Sequence, residues 1–170
     1  MDIAEVVPTT SPSMDIQVSS NLERLLFEMG GRDGAAVGAQ MDDFRATGRF
    51  RLDPAQHTGL ADGWAGARFG DDEVRACIGD EADRSGIVLD PHTAVGLLAA
   101  RACRRDPTVP MVALATAHPA KFPDAVEAAT GARPALPERL ADLHELPERL
   151  VGLPNDLVTL QDHVRSCRRG

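Results

Sequence analysis

Apolar positions recur at helical spacing over much of the chain and run unbroken in two short stretches. Leu22, Leu25, Leu26 and Met29 share one helical face, with Ser20 or Asn21 placed to cap that helix and Gly30-Gly31 to end it. Val37, Met41 and Phe44 predict a second helix over about 35–47, stopped by Gly48. From Phe50 to Phe69 the period fades under Gly59, Gly63 and Gly66, and alternation around Trp64 to Phe69 predicts a short strand. Asp71 or Asp72 then opens an acidic amphipathic helix to about Arg84, with Val74, Ile78 and Ala82 facing inward and Gly86 beyond its end.

The run Ile87-Val88-Leu89 ends at Asp90, and Pro91 occupies the first-turn position of an almost wholly apolar helix over about 93–102. A helix so apolar is expected to be buried on most sides. Met111–Ala117 is a second β-like run, closing on Thr116-Ala117-His118-Pro119 before a helix over about 123–129. Strand, polar turn and helix, twice in succession, predict an α/β fold: part of a doubly wound parallel sheet with flanking helices. In such sheets ligands lie beyond the carboxyl ends of strands, where helix amino termini present N–H groups. Asp90, His92, Thr93, Thr116, His118 and Lys121 fall at those ends. The expected organisation is an extended arm over 1–14, an α/β body over 15–136 and a helical tail over 137–170. In that tail, leucines and prolines alternate before a last helix capped by Asn155 or Asp156.

Charge and composition narrow the classes. A net charge of −8 and a pI near 5.0 disfavour a phosphate backbone as partner. The arginine clusters at 101–105 and 165–169 read as solvated faces. No apolar run reaches the roughly 20 residues of a membrane span. The opening residues, with Asp2 and Glu5, show no secretory pattern, so a cytoplasmic protein is expected. Cys77, Cys103 and Cys167 are odd in number and widely spaced, which disfavours a disulfide framework or a C-x-x-C metal pair and leaves reduced, mostly packed thiols. Of 18 basic side chains only Lys121 is a lysine.

The residues alone do not select a reaction. His92 and His118 stand next to prolines in βα turns, which suits either a group aimed at an anion or reacting atom, or a hydrogen-bonding turn residue. A hydrolytic triad lacks the G-x-S-x-G elbow, and Gly30-Gly31-Arg32-Asp33-Gly34 lacks both nucleotide-loop patterns and reads as a helix cap. Met14, Met29 and Met41 read as core filler.

Three stretches in order resemble threonine synthase: Ser11-Pro-Ser-Met-Asp-Ile-Gln-Val-Ser-Ser-Asn-Leu-Glu-Arg-Leu-Leu-Phe27, Leu89-Asp-Pro-His-Thr-Ala-Val-Gly96 and Leu114-Ala-Thr-Ala-His-Pro-Ala-Lys-Phe122. The resemblance implies the carboxyl-terminal part of a fold-type-II pyridoxal-phosphate enzyme, a family that converts O-phospho-L-homoserine and water into threonine and phosphate. It implies Thr116 as the contact of the pyridine nitrogen, and Asp90, His92 and Thr93 as the turn beside the cofactor. It also implies His118 and Lys121 as substrate or phosphate residues. The family's cofactor-bonding lysine and its glycine-rich phosphate loop lie in an amino-terminal segment without counterpart here. Lys121 matches the His-Pro-Ala-Lys-Phe motif instead, so no catalytic residue and no metal ligand is assigned. Two functional readings follow: an enzyme fragment that needs the amino-terminal part, or a catalytically inactive, truncated binding or interaction module.

Overall fold

A computed structural model describes residues 4–19 and 21–168, and of Ala55 the backbone alone. Ser20, one of the two expected caps, and residues 1–3 of the expected arm lie outside the described residues. The chain divides into two compact units, Met1–Ala135 and Leu136–Gly170.

The first unit carries α1 (Leu22–Met29), α2 (Gly34–Thr47), α3 (Pro54–Gly63), α4 (Asp71–Ser85), α5 (Pro91–Cys103) and α6 (Pro123–Thr130). Asp33 starts α2 by accepting the N–H groups of Ala35 and Ala36, and Gly48 ends it in the left-handed conformation. The sequence pattern gave no period for α3. Its start is instead a capping box, in which the Asp53 carboxylate accepts Gln56 N–H while the Gln56 side chain accepts Asp53 N–H. The residue preceding α4 is Gly70, whose N–H is taken by Glu73, and the aspartates expected as caps form the first turn instead.

Two apolar clusters result. Leu26, Met41, Phe44 and Phe50 close the first, with the Phe44 and Phe50 rings edge-on at 6.2 Å. Val74, Cys77, Ile78 and Ala94 close the second, between α4 and α5, and fully buried Val126 of α6 lies in the same unit. A Cβ on Gly79 would meet the carbonyl oxygen of Ala129 at 2.9 Å, so the approach of α4 to α6 requires glycine there. Glu81, buried on α4, ties the layer to α5 by a 2.7 Å ion pair with Arg101 and also pairs with Arg84.

The expected sheet is not seen among the described residues. Among the described residues no strand exceeds the single bridge residue Arg49. Ile87–Leu89 and Met111–Ala115 carry no regular secondary structure, and their only backbone hydrogen bond among the described residues is Ile87 N–H to the Ser85 hydroxyl. A strand becomes a strand by pairing, and these two have no neighbour to pair with. Trp64–Phe69 is likewise irregular, with Trp64 exposed. Helix α5 is buried only over Pro91–Ala94, whereas Val95–Ala100 are half-buried, so the expectation of burial on most sides holds for one turn. Cys77 is buried, Cys103 half-buried and Cys167 exposed, and all three thiols are free.

The second unit holds a short 3-10 turn at Glu138–Leu140 and α7 (Leu157–Ser166), capped by Asp156. None of its described residues is buried. No helix among the described residues is long and apolar enough to cross a membrane.

Candidate functional site

The site is built on the first turn of α5. Asp90 caps the helix: its Oδ1 accepts His92 N–H at 2.9 Å and Thr93 N–H at 3.3 Å. The Thr93 hydroxyl donates to Asp90 Oδ2 and accepts the backbone N–H of Thr116 at 3.1 Å. A buried carboxylate is thus fully engaged, as burial of a charge demands. The relay from Asp90 through Thr93 fixes the end of the second extended segment 23 residues further along the chain. The helix amino terminus is closed by its own cap, so the N–H groups expected to face a ligand are occupied.

His92 is also buried. Its Nε2 accepts the N–H of Ser13 at 3.3 Å, and its ring lies against Phe122 at 4.6 Å between centroids. Nδ1 stands 3.3 Å from Asp90 Oδ1, within ion-pair distance but without hydrogen-bond alignment. His118 caps the 3-10 turn Pro119–Lys121 through Nδ1, which accepts Ala120 N–H at 3.1 Å. The Lys121 ammonium stands 5.8 Å from the Phe122 ring centroid and has no carboxylate partner among the described residues.

The six residues singled out in the sequence therefore fall into two adjacent groups, joined by the Thr93–Thr116 bond and the His92–Phe122 contact. Thr116 and His118 are exposed, and among the described residues the Thr116 hydroxyl has no hydrogen-bond partner. Two residues were missed as site components. Ser13 lies in the expected arm, and Phe122 ends the His-Pro-Ala-Lys-Phe motif. No local signal joins either to His92.

The geometry is an open face. Two larger clefts of this unit, about 720 and 810 Å3, lie elsewhere: one beside Trp64 and the α5 carboxyl end, the other under residues 4–17. Neither includes Thr116, His118 or Lys121. No group of three metal-ligating side chains occurs among the described residues.

Comparison with known proteins is specific. A family model described as "Threonine synthase, C-terminal" matches residues 93–164. The threonine synthase of Pseudomonas aeruginosa is 49% identical over 158 residues, covering 92% of this chain and 34% of that protein. The crystal structure of a pyridoxal-phosphate-bound threonine synthase from Brucella melitensis superposes with a TM-score of 0.81 at 45% identity, covering 97% of this chain and 35% of that one. The yeast threonine synthase structure gives a TM-score of 0.75 at 30% identity over 96% of this chain. The chain spans about a third of the length of the relatives it matches. Alignment along nearly its whole length, in sequence and in backbone, places it in the threonine synthase family as a carboxyl-terminal portion of that fold.

Proposed function

We propose that the chain supplies one wall of a threonine synthase site, acting on O-phospho-L-homoserine together with the remaining two-thirds of such an enzyme. The observation that carries this reading is the Thr93–Thr116 bond, which holds a hydroxyl that is exposed and without a partner among the described residues at the end of an apolar segment.

That arrangement suits pyridoxal phosphate. Bound, the cofactor would supply an electron sink for substrate carbanions. Thr116 offers its ring nitrogen a neutral hydroxyl, which hydrogen-bonds without forcing protonation. Asp90 does not compete for the ring, because its oxygens hold the α5 cap and Thr93. Lys121, without a carboxylate partner among the described residues, offers positive charge to the substrate phosphate, and His118 keeps Nε2 for the same group while Nδ1 stays with Ala120.

The same reading accounts for the missing sheet. Ile87–Leu89 and Met111–Ala115 have the composition of central parallel strands, and exposed Ile87, Val112 and Leu114 are the side chains such strands bury. Their neighbours would come from the part of a threonine synthase that this chain does not span.

With pyridoxal phosphate added, the chain by itself is expected to show no absorbance band of lysine-bound cofactor and to release no phosphate from O-phosphohomoserine. A band that disappears in Lys121→Ala would overturn the assignment of Lys121 to the phosphate.

A further inference from the structure

We infer that His92 is a positioning residue, which pins the Pro12–Met14 turn to the first turn of α5 through one tautomer and does not itself contact a ligand. Its placement beside a ligand site rests on the proposed function; the clamp does not.

His92 and Ser13 are 79 residues apart, and the bond between them crosses from the start of the chain to the site. The turn is preformed. Thr9 donates its N–H and hydroxyl to the Asp15 carboxylate, Ser11 N–H goes to the Thr9 hydroxyl, and Thr10 donates twice to Asp71. What remains is a link to α5, and Ser13 N–H to His92 Nε2 provides it.

Chemistry fixes the proton. A backbone N–H can be met only by an unprotonated ring nitrogen, so neutral His92 must carry its hydrogen on Nδ1, the side that Asp90 faces at 3.3 Å. Phe122 against the ring opposes a flip that would put a carbon at Ser13. Nε2 is therefore committed and Nδ1 is buried against Asp90 without a hydrogen bond, unlike the ring of exposed His118. With Nε2 on Ser13 and Nδ1 buried, His92 orients its neighbours and offers no accessible free nitrogen to substrate.

Long-range proton–nitrogen NMR of the unaltered chain gives the first test: Nδ1 protonated and Nε2 bare. Amide exchange at Ser13 gives the second. His92→Gln can carry an acceptor oxygen to the Nε2 position, whereas His92→Asn is one methylene too short. Exchange at Ser13 is expected to stay slow in the Gln variant and to accelerate about tenfold in the Asn variant, the loss of one ordinary hydrogen bond. An Nε2-protonated ring, or equal exchange in the two variants, would overturn the inference. The tautomer is read without substitution, so a variant that fails to fold leaves the inference testable. Neither readout needs cofactor, so the result stands apart from the fate of the proposed function.

Discussion

Helices α5 and α7 begin with the same device. Asp90-Pro-His-Thr93 and Asp156-Leu-Val-Thr159 each place an aspartate cap three residues before a threonine whose hydroxyl donates back to the carboxylate. At α7 Asp156 is exposed and Thr159 only half-buried, and among the described residues the side-chain pair joins nothing further. At α5 both are buried, and the threonine takes one more bond, from Thr116. The cap motif therefore starts a helix in either place. Burial and a long-range partner are what turn one copy into a site.

That comparison can be broken at several levels, the largest in the packing beneath α5. Ile78→Ala empties a fully buried position in the α4–α5 cluster and is expected to lower unfolding stability by about 2–5 kcal/mol in urea titrations. Leu157→Ala on exposed α7 should move the midpoint by no more than about 0.5 kcal/mol. Equal losses would mean that α7 is packed as tightly as α5.

Next is the cap itself. Asp90→Ala removes the α5 cap and leaves the buried Thr93 hydroxyl proton without its acceptor, together about 2–4 kcal/mol. Asp156→Ala should fray α7, visible as lost helical circular dichroism, without shifting the main unfolding transition.

Acid should also separate the two helices. Hydrogen bonding to Arg101 first, and then to Ser85 and Arg84, holds the Glu81 carboxyl below its ordinary range against the opposing effect of burial. A depressed carboxylate stabilises the fold above its unfolded pKa and loses that contribution as pH falls through the folded value. The melting temperature should thus decline as pH drops below about 4.5, the ordinary glutamate region. Glu81→Gln should remove most of that slope. Asp156, lowered by hydrogen bonds from the backbone and then the side chain of Thr159, should lose α7 helicity over the same acid region.

The smallest expected effect lies away from both helices. Arg32 holds a left-handed φ of 67° just after α1, and its ion pair with Glu28 is exposed. Arg32→Gly should stabilise the chain by up to about 1 kcal/mol in the same titration, by relieving that conformation.

Local chemistry was legible in the sequence wherever local physics decides. Gly48, Gly86 and Gly131 end helices in the left-handed conformation, and Asp90-Pro91 begins one. Helix α3 was missed because its apolar period is poor, although Asp53-Pro54-Ala55-Gln56 is a complete capping box. The strands are expected from apolar runs that are strand-like in composition, but pairing needs a second strand, and none lies beside them among the described residues. The candidate site was legible as a pair of turns. The bonds from Thr93 to Thr116 and from Ser13 to His92 were not, because each joins segments that are remote in sequence and have no shared local pattern.

The central claim is that the Asp90–Thr93 and Thr116–Lys121 turns form one wall of a threonine synthase site. The most direct test joins this chain to the other two-thirds of the Pseudomonas aeruginosa enzyme, in place of that enzyme's matching third, and measures phosphate release from O-phosphohomoserine. The joined protein is expected to be active and to lose at least about tenfold in kcat/KM on Thr116→Ala, the worth of one hydrogen bond at the reacting centre. A folded, cofactor-loaded joined protein that releases no phosphate, or one indifferent to Thr116→Ala, would contradict it.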